Sequence, residues 1–351
     1  MARIVLKNVL LDGVLTDVTA ENGKIVSIGK TEETGKDCGG AIIMPGLFDI
    51  HSHGAVSHDT MDCDFSPITK YLFQNGITSW LATTMTMPLE NIEAVVDHLP
   101  ESAEDEAKIV GFHMEGPYLA EKYKGAQKSE WMKLPDADFV NAHPHILMVT
   151  LAPELEGALE EISRMNAVVA LGHSASDYKT ADLAFKYGAK CLTHTFNAMS
   201  PLHHRDPALI GAAYDNGGYV QVISDGIHLH PSVVRILYGL FGADRMILIS
   251  DSMEATGLQD GTYTLGGQPV NVKNGEARLE SGALAGSTTN LMTCVQRAIS
   301  FGIPPRDAFR MASATPAKLM GLKKGEIAVG YDAEFLLLDQ NYQLQEVIVN
   351  R

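Results

Sequence analysis

Apolar residues along this chain come in short bursts, and the texture around the bursts changes twice. Up to residue 43 they sit in brief β-branched segments, ARIVLKNVLLDG and GKIVSIGK, broken by Gly and Asp, which predicts strands joined by turns. The far end has the same texture in GEIAVGYDAEFLLLD and LQEVIVN. Chain ends commonly lie close together, so residues 1–43 and 325–351 predict one small β unit. Between them, over 44–324, eight runs of strand length recur: AIIMPGLFDIHSH, ITSWLATT, KIVGFHMEG, HILMVTLAP, AVVALGHS, KCLTHTFN, YVQVISDG and MILISDS. They are apolar almost throughout, as parallel strands covered on both faces should be. Helical periodicity separates most of them, as in LEGALEEISRMN, YKTADLAFKYG and PSVVRILYGLFG. Strand and helix alternating over this length predict an α/β fold, a (β/α)8 TIM-like barrel, with a small β-sandwich domain built from both chain ends. An open doubly wound sheet is the alternative, but no GxGxxG follows the first strand. After the eighth run, Gly-rich GTYTLGGQPVNVKNGEARLESGALAGS carries a turn signal in KNGE and predicts a β-hairpin insertion near 258–285.

The ends of the eight runs carry the reactive side chains. The first ends in His51 and His53, which share a face if the strand continues to them. The third ends in His113 and Glu115, the fifth in His173 and the sixth in His194; the seventh is followed by Asp225 and His228, and the eighth ends in Asp251. Any one histidine at such a place is ordinarily a hydrogen-bonded core or loop residue. Recurrence at five of the eight ends points instead to one mouth, because the C-terminal strand ends of a barrel converge there. Three or four histidines with two carboxylates suit one or two divalent ions. Such an ion acidifies a water and polarises a carbonyl. Asp251, placed beside that water, suits the proton transfer that cleavage of an amide or related C–N bond needs. No GxSxG nucleophile elbow is visible.

Composition narrows the partners. The 351 residues carry a formal net charge of −16, which disfavours nucleic acid and anionic membranes and leaves room for a small anionic substrate held by local cations. Four cysteines, Cys38, Cys63, Cys191 and Cys294, form no CxxC pair, as expected of a reducing compartment. Neither a secretory leader nor an apolar stretch of membrane-spanning length is present, so a soluble, cytoplasmic protein is expected.

The motifs HMEGPYLAEKYKGAQ, LGHSASDY, THTFNAMSPLHHRDP, SDGIHLHP, ISDSMEATG and LAGST, in this order after PGLFDIHSHG, resemble the N-acetylglucosamine-6-phosphate deacetylase family of the amidohydrolase superfamily, almost end to end. The resemblance implies that Glu115, His173 and His194 hold the main ion. It gives His51 and His53 a second one, with Glu115 as the bridge, and makes Asp251 a further metal ligand as well as general base and then acid. It places Asn197 and Ala198 against the sugar phosphate. Arg205 and His228 would hold the phosphate, one subunit of a homodimer reaching into its neighbour's site. Ala126 and the stretch Leu284, Ala285 and Gly286 would contact the ligand through main chain. The ion implied is zinc, iron, manganese or cobalt. The sequence departs from the family at Gln127, where several relatives carry histidine; glutamine donates a hydrogen bond to a carbonyl but carries no proton. The expected reaction is hydrolysis of the acetamide of N-acetylglucosamine 6-phosphate to glucosamine 6-phosphate and acetate. The alternatives are the galactosamine epimer, another amide or cyclic-amide hydrolase, and a metal-free scaffold. Cys63, in the loop after the first strand, is expected to be an inert thiol.

Overall fold

The computed structural model describes residues 3–351; the first two residues of the expected 1–43 segment lie outside it. The eight apolar runs become eight parallel strands in sequence order: β1 Leu47–Ser52, β2 Ile77–Thr84, β3 Lys108–Glu115, β4 Ile146–Leu151, β5 Val168–Leu171, β6 Cys191–Leu192, β7 Tyr219–Ile223 and β8 Met246–Ile249. The ring meets itself between β8 and β1. Asp251 N–H donates to His51 O at 2.9 Å, His53 N–H to Ser252 O at 2.8 Å, and Ser250 Oγ to the buried Asp49 carboxylate at 2.5 Å. This is the (β/α)8 barrel that the alternation predicted. Its interior is filled by one apolar cluster, with Phe48, Ile50, Leu81, Met148, Ile223 and Ile249 all fully buried, and Ala317 of the helix Ala314–Leu319 joins that cluster. A larger cluster packs the outer faces of the strands against the helices, the two-layer burial that makes the strands apolar on both sides.

The first predicted run is in fact two strands. Ile42–Pro45 pairs antiparallel with Glu334–Leu338, whereas β1 belongs to the barrel. Gly46 is the joint: a Cβ there would sit 2.2 Å from Thr78 Oγ1, so no larger residue fits. The chain ends do form one small β domain. Arg3–Leu11, Val14–Glu21, Lys24–Ile28, Lys36–Asp37, Ile42–Pro45, Glu334–Leu338 and Leu344–Val349 hydrogen-bond as one continuous seven-stranded sheet. It has its own core, around Leu6, Val18, Ile25, Ile43 and Phe335. A buried ion pair ties it to the barrel: Lys324 Nζ lies 2.9 Å from Glu334 Oε2 and also contacts Ser79 Oγ of β2.

The expected hairpin insertion is a three-stranded meander, Gly261–Leu265, Gln268–Lys273 and Glu276–Leu279. The turn at Asn274–Gly275 was legible; Gly266 and Gly267, both at positive φ, make a second turn and add the third strand. The meander packs its apolar face on Met85, Ala126, Met253 and Ala285, which sets it against the C-terminal ends of the barrel strands. No helix among the described residues is long and apolar enough to cross a membrane, and all four cysteines are free.

Candidate metal centre and active site

At the C-terminal end of the barrel, residues far apart in sequence surround one carboxylate. Glu115 closes β3 and is buried. Its Oε1 lies 3.2 Å from His173 Nε2, 3.1 Å from His194 Nε2 and 3.3 Å from His51 Nε2, and its Oε2 lies 3.3 Å from His53 Nε2. Asp251 Oδ1 stands 3.4 Å from both His51 Nε2 and His53 Nε2. Two groups of possible ligands therefore share Glu115: His51 with His53, and His173 with His194.

The far side of most rings is pinned. His53 Nδ1 donates to Thr83 O at 3.2 Å and His173 Nδ1 to Tyr123 O at 2.8 Å. Carbonyl oxygens only accept, so each Nδ1 carries a proton and each Nε2 is turned to the centre. His51 Nδ1 is held by Gln221 Oε1 at 3.0 Å. This polar side chain in the otherwise apolar YVQVI run was not read as functional.

The donor set fits a divalent cation. His173 Nε2 and His194 Nε2 face each other at 3.0 Å, and His51 Nε2 is buried without a hydrogen-bond partner. Ring nitrogens crowded in this way around a carboxylate need a positive charge among them. Without an ion, protons supply it. Burial works against charge on His53, but Asp251 and Glu115 outweigh it and lift its pKa to about 10. Burial likewise opposes ionisation of Glu115 and Asp251, and the surrounding histidines overcome it; Glu115 is held well below the usual carboxylate range and Asp251 at about 2.

Backbone strain places several of these groups. His173, His194 and Asp251, each just past a strand end, adopt φ of 47°, 26° and 50°. A non-glycine residue in the left-handed region costs on the order of 1–3 kcal/mol and persists where the surroundings dictate it. Around Asp251 those surroundings include Gly286: a Cβ there would lie 3.1 Å from Asp251 O, and Ser287 N–H donates to the same oxygen at 2.7 Å.

Above the centre is a pocket of about 420 Å³. His53, Glu115, His173, His194 and Asp251 form its floor; Ala126, Gln127, Asn197, Ala198, Leu284 and Gly286 are on its wall, and so is His228, which the resemblance assigned to a neighbouring subunit's site. Phe196 and Lys122 also line it and were missed. His228 is paired with Asp225 at 2.8 Å; burial disfavours its charge, yet Asp225 raises its pKa overall.

Other sequence candidates lie outside the pocket or are already engaged by the protein. His51 lies beneath the pocket floor with no exposed surface, and Ala285 is buried in the core under the meander. His113, which shares a strand end with Glu115, is a structural residue: its nitrogens contact Ile50 O at 3.1 Å and Thr150 Oγ1 at 2.7 Å inside the barrel. Arg205 is exposed, outside this chain's pocket lining, with Nη1 2.7 Å from His204 Nε2. Cys63 also lies outside the lining, and burial pushes its thiol pKa up. Gln127 is buried, and both ends of its amide are already engaged.

The amidohydrolase family matches residues 42–350, the whole barrel and both closing strands, Glu334–Leu338 and Leu344–Val349. The chain belongs to the amidohydrolase family. Members are metal-dependent, and this chain has His and Glu groups placed to bind an ion. Within the family it is similar to the N-acetylglucosamine-6-phosphate deacetylase of Vibrio furnissii, at 36% identity over 94% of this chain and 88% of the relative. It is similar as well to the N-acetylgalactosamine-6-phosphate deacetylase of Escherichia coli O157:H7, at 34% identity over 87% and 86%. Among solved structures, the Thermotoga maritima N-acetylglucosamine-6-phosphate deacetylase superposes with a TM-score of 0.89 at 34% identity. A substituted Mycobacterium smegmatis N-acetyl-D-glucosamine-6-phosphate deacetylase, in complex with N-acetyl-D-glucosamine 6-phosphate, reaches 0.91 at 29% identity. Each alignment covers 99% of this chain and 98% of the other.

Proposed function

We propose that this amidohydrolase removes the acetyl group of N-acetyl-D-glucosamine 6-phosphate, giving D-glucosamine 6-phosphate and acetate. The observation that carries the reading is the convergence of four histidines and Asp251 on one shared carboxylate, Glu115, in a chain that aligns along its whole length with deacetylases of this substrate.

Glu115, His173 and His194 would hold one divalent ion, and His51 and His53 a second with Glu115 in common; the N and O donors suit zinc, iron, manganese or cobalt. An ion held there supplies an acidified water and a polarised acetamido carbonyl. The chain supplies the proton path. Asp251 is a carboxylate at neutral pH, turned towards the same centre, and accepts a proton from the attacking water before returning it to the departing amine. No covalent intermediate with the protein is required. On the wall, Asn197 and the main chain at Ala198, Ala126, Leu284 and Gly286 border the space for the sugar. His228, whose pKa Asp225 raises against the opposing effect of burial, and Lys122 face the phosphate end of the pocket in this reading.

Arg205, exposed and away from this pocket, serves a second copy: in a homodimer it reaches the neighbouring site, where its planar fork binds phosphate oxygens. The absence of CxxC pairs among the four cysteines supports a reducing, cytoplasmic setting. A second reading, the galactosamine epimer, is favoured by the Escherichia coli relative at 34% identity.

The test is acetate release from the two phosphorylated epimers and from unphosphorylated N-acetylglucosamine, on protein of counted metal content. Fast release from N-acetylglucosamine 6-phosphate is expected. Preference for the galacto epimer would select the second reading, and release from neither sugar phosphate would overturn both.

A further inference from the structure

The loop carrying KGAQ brings Gln127 against the centre of the site, and its amide has no freedom left. Gln127 Oε1 accepts from the backbone N–H of Thr86 at 2.8 Å. A backbone N–H can only donate, so the oxygen end must face Thr86 and the nitrogen end must face the other way. That nitrogen, Nε2, donates to Glu115 Oε2 at 2.7 Å. The side chain is buried, and the loop behind it is propped by the meander, where Gln268 donates to Ala126 O. A fixed main-chain group thus sets the direction in which Glu115 is held.

The contact falls on one oxygen only. Oε1 faces His173, His194 and His51; Oε2 faces His53. An ionised carboxylate oxygen has two lone-pair directions. With one direction of Oε2 taken by Gln127, the other is left for His53. We propose that Gln127 is a positioning residue that fixes Glu115 as the shared ligand and thereby sets how tightly the His51/His53 half of the site holds its ion. This rests on the reading of Glu115 as a ligand common to two ions. It also gives Gln127 a task other than touching the substrate carbonyl, since both ends of its amide are engaged before substrate arrives.

The experiment is a titration of ion-free protein with cobalt(II), followed by calorimetry and by visible absorption, for wild type and Gln127→Met. Methionine keeps the length and the apolar body and removes both hydrogen bonds. Wild type should take up two ions. Gln127→Met should retain the tighter one and bind the weaker one about 10–100-fold less well, the usual effect of removing a hydrogen bond to a metal ligand. Unchanged binding of both ions overturns the proposal. So does equal weakening of both, because that is what a mere loop anchor predicts. Thermal melting of the ion-free variant separates a misfolded protein from a folded one. Should the variant misfold, Gln127→His, which restores one N–H donor, is titrated in its place; two ions held with wild-type affinity support the proposal, and loss of both overturns it. Uptake of only one ion by wild type overturns the shared-ligand reading itself, a failure seen before any substitution is made.

Discussion

Ion binding by this chain should release protons, and the ion-free structure sets the scale. His53 is an imidazolium between Asp251 and Glu115, with a pKa near 10. A ligand imidazole must be neutral, so an ion entering beside it expels the proton from Nε2. At pH 7 that proton is held about three units below its pKa; at about 1.4 kcal/mol per unit, displacing it takes roughly 4 kcal/mol, about a thousandfold in apparent affinity. Affinity at the His51/His53 half should therefore rise at least tenfold per pH unit between pH 6.5 and 8.5. Calorimetric titration with manganese(II), in buffers of unlike ionisation heat, counts the protons: more than one per ion is expected at that half, one from His53 and a further share from His51, whose pKa Glu115 and Asp251 raise against the opposing effect of burial. The same pKa fixes a stability trend. A raised histidine pKa stabilises the ion-free fold fully below its unfolded value of 6.5, and this is lost as pH rises towards 10. The loaded protein, with neutral His53, has no such loss, so the gain in melting temperature on adding metal should widen as pH rises. A pH-independent affinity with no proton release would refute the placement of His53 as a charged ligand-in-waiting.

Three further outcomes follow from particular contacts. Asp251→Asn should lower kcat by about 10²–10⁴-fold, the span of a general acid–base group, while the ion held by Glu115, His173 and His194 stays bound; activity within tenfold of wild type would remove Asp251 from the proton path. Arg205→Ala should raise KM about 10–100-fold for the phosphorylated sugar, as loss of a charge-assisted hydrogen bond does, with the unphosphorylated sugar unaffected; an equal effect on both would refute a phosphate contact. Lys324→Met leaves Glu334 buried without its partner and should cost about 3–5 kcal/mol in urea unfolding, most of it recovered when Glu334→Leu is added; a silent single substitution would show that the pair is not what ties sheet to barrel.

Much of the fold was legible because a parallel strand covered on both sides leaves a run with almost no polar interruption. All eight barrel strands lie within such runs. Less visible was whatever depends on close approach. The break between Ile42–Pro45 and β1 is set by the space beside Thr78, which no local pattern records. Strand-end chemistry was equally legible, since barrel geometry gathers strand ends. Yet His113 and Glu115, two positions apart on β3, do different work: His113 is spent on Ile50 and Thr150 within the barrel, while Glu115 reaches the mouth. Period-two patterning gives the face and not the depth. Gln221 had a signal, a lone amide inside an apolar strand, and its meaning appears only once His51 lies beside it.

The small sheet has a consequence for how the chain is made. Ile42–Pro45 finds its antiparallel partner in Glu334–Leu338, about 290 residues later, a delay on the order of 15–60 s at ordinary rates of synthesis. Until then the first strands of the chain end in an open β edge. The barrel strands all lie in the interval, so they are made before the two halves of the small sheet can meet. That bare edge, remote from the chemistry, is the part of the nascent molecule most exposed to wrong pairing.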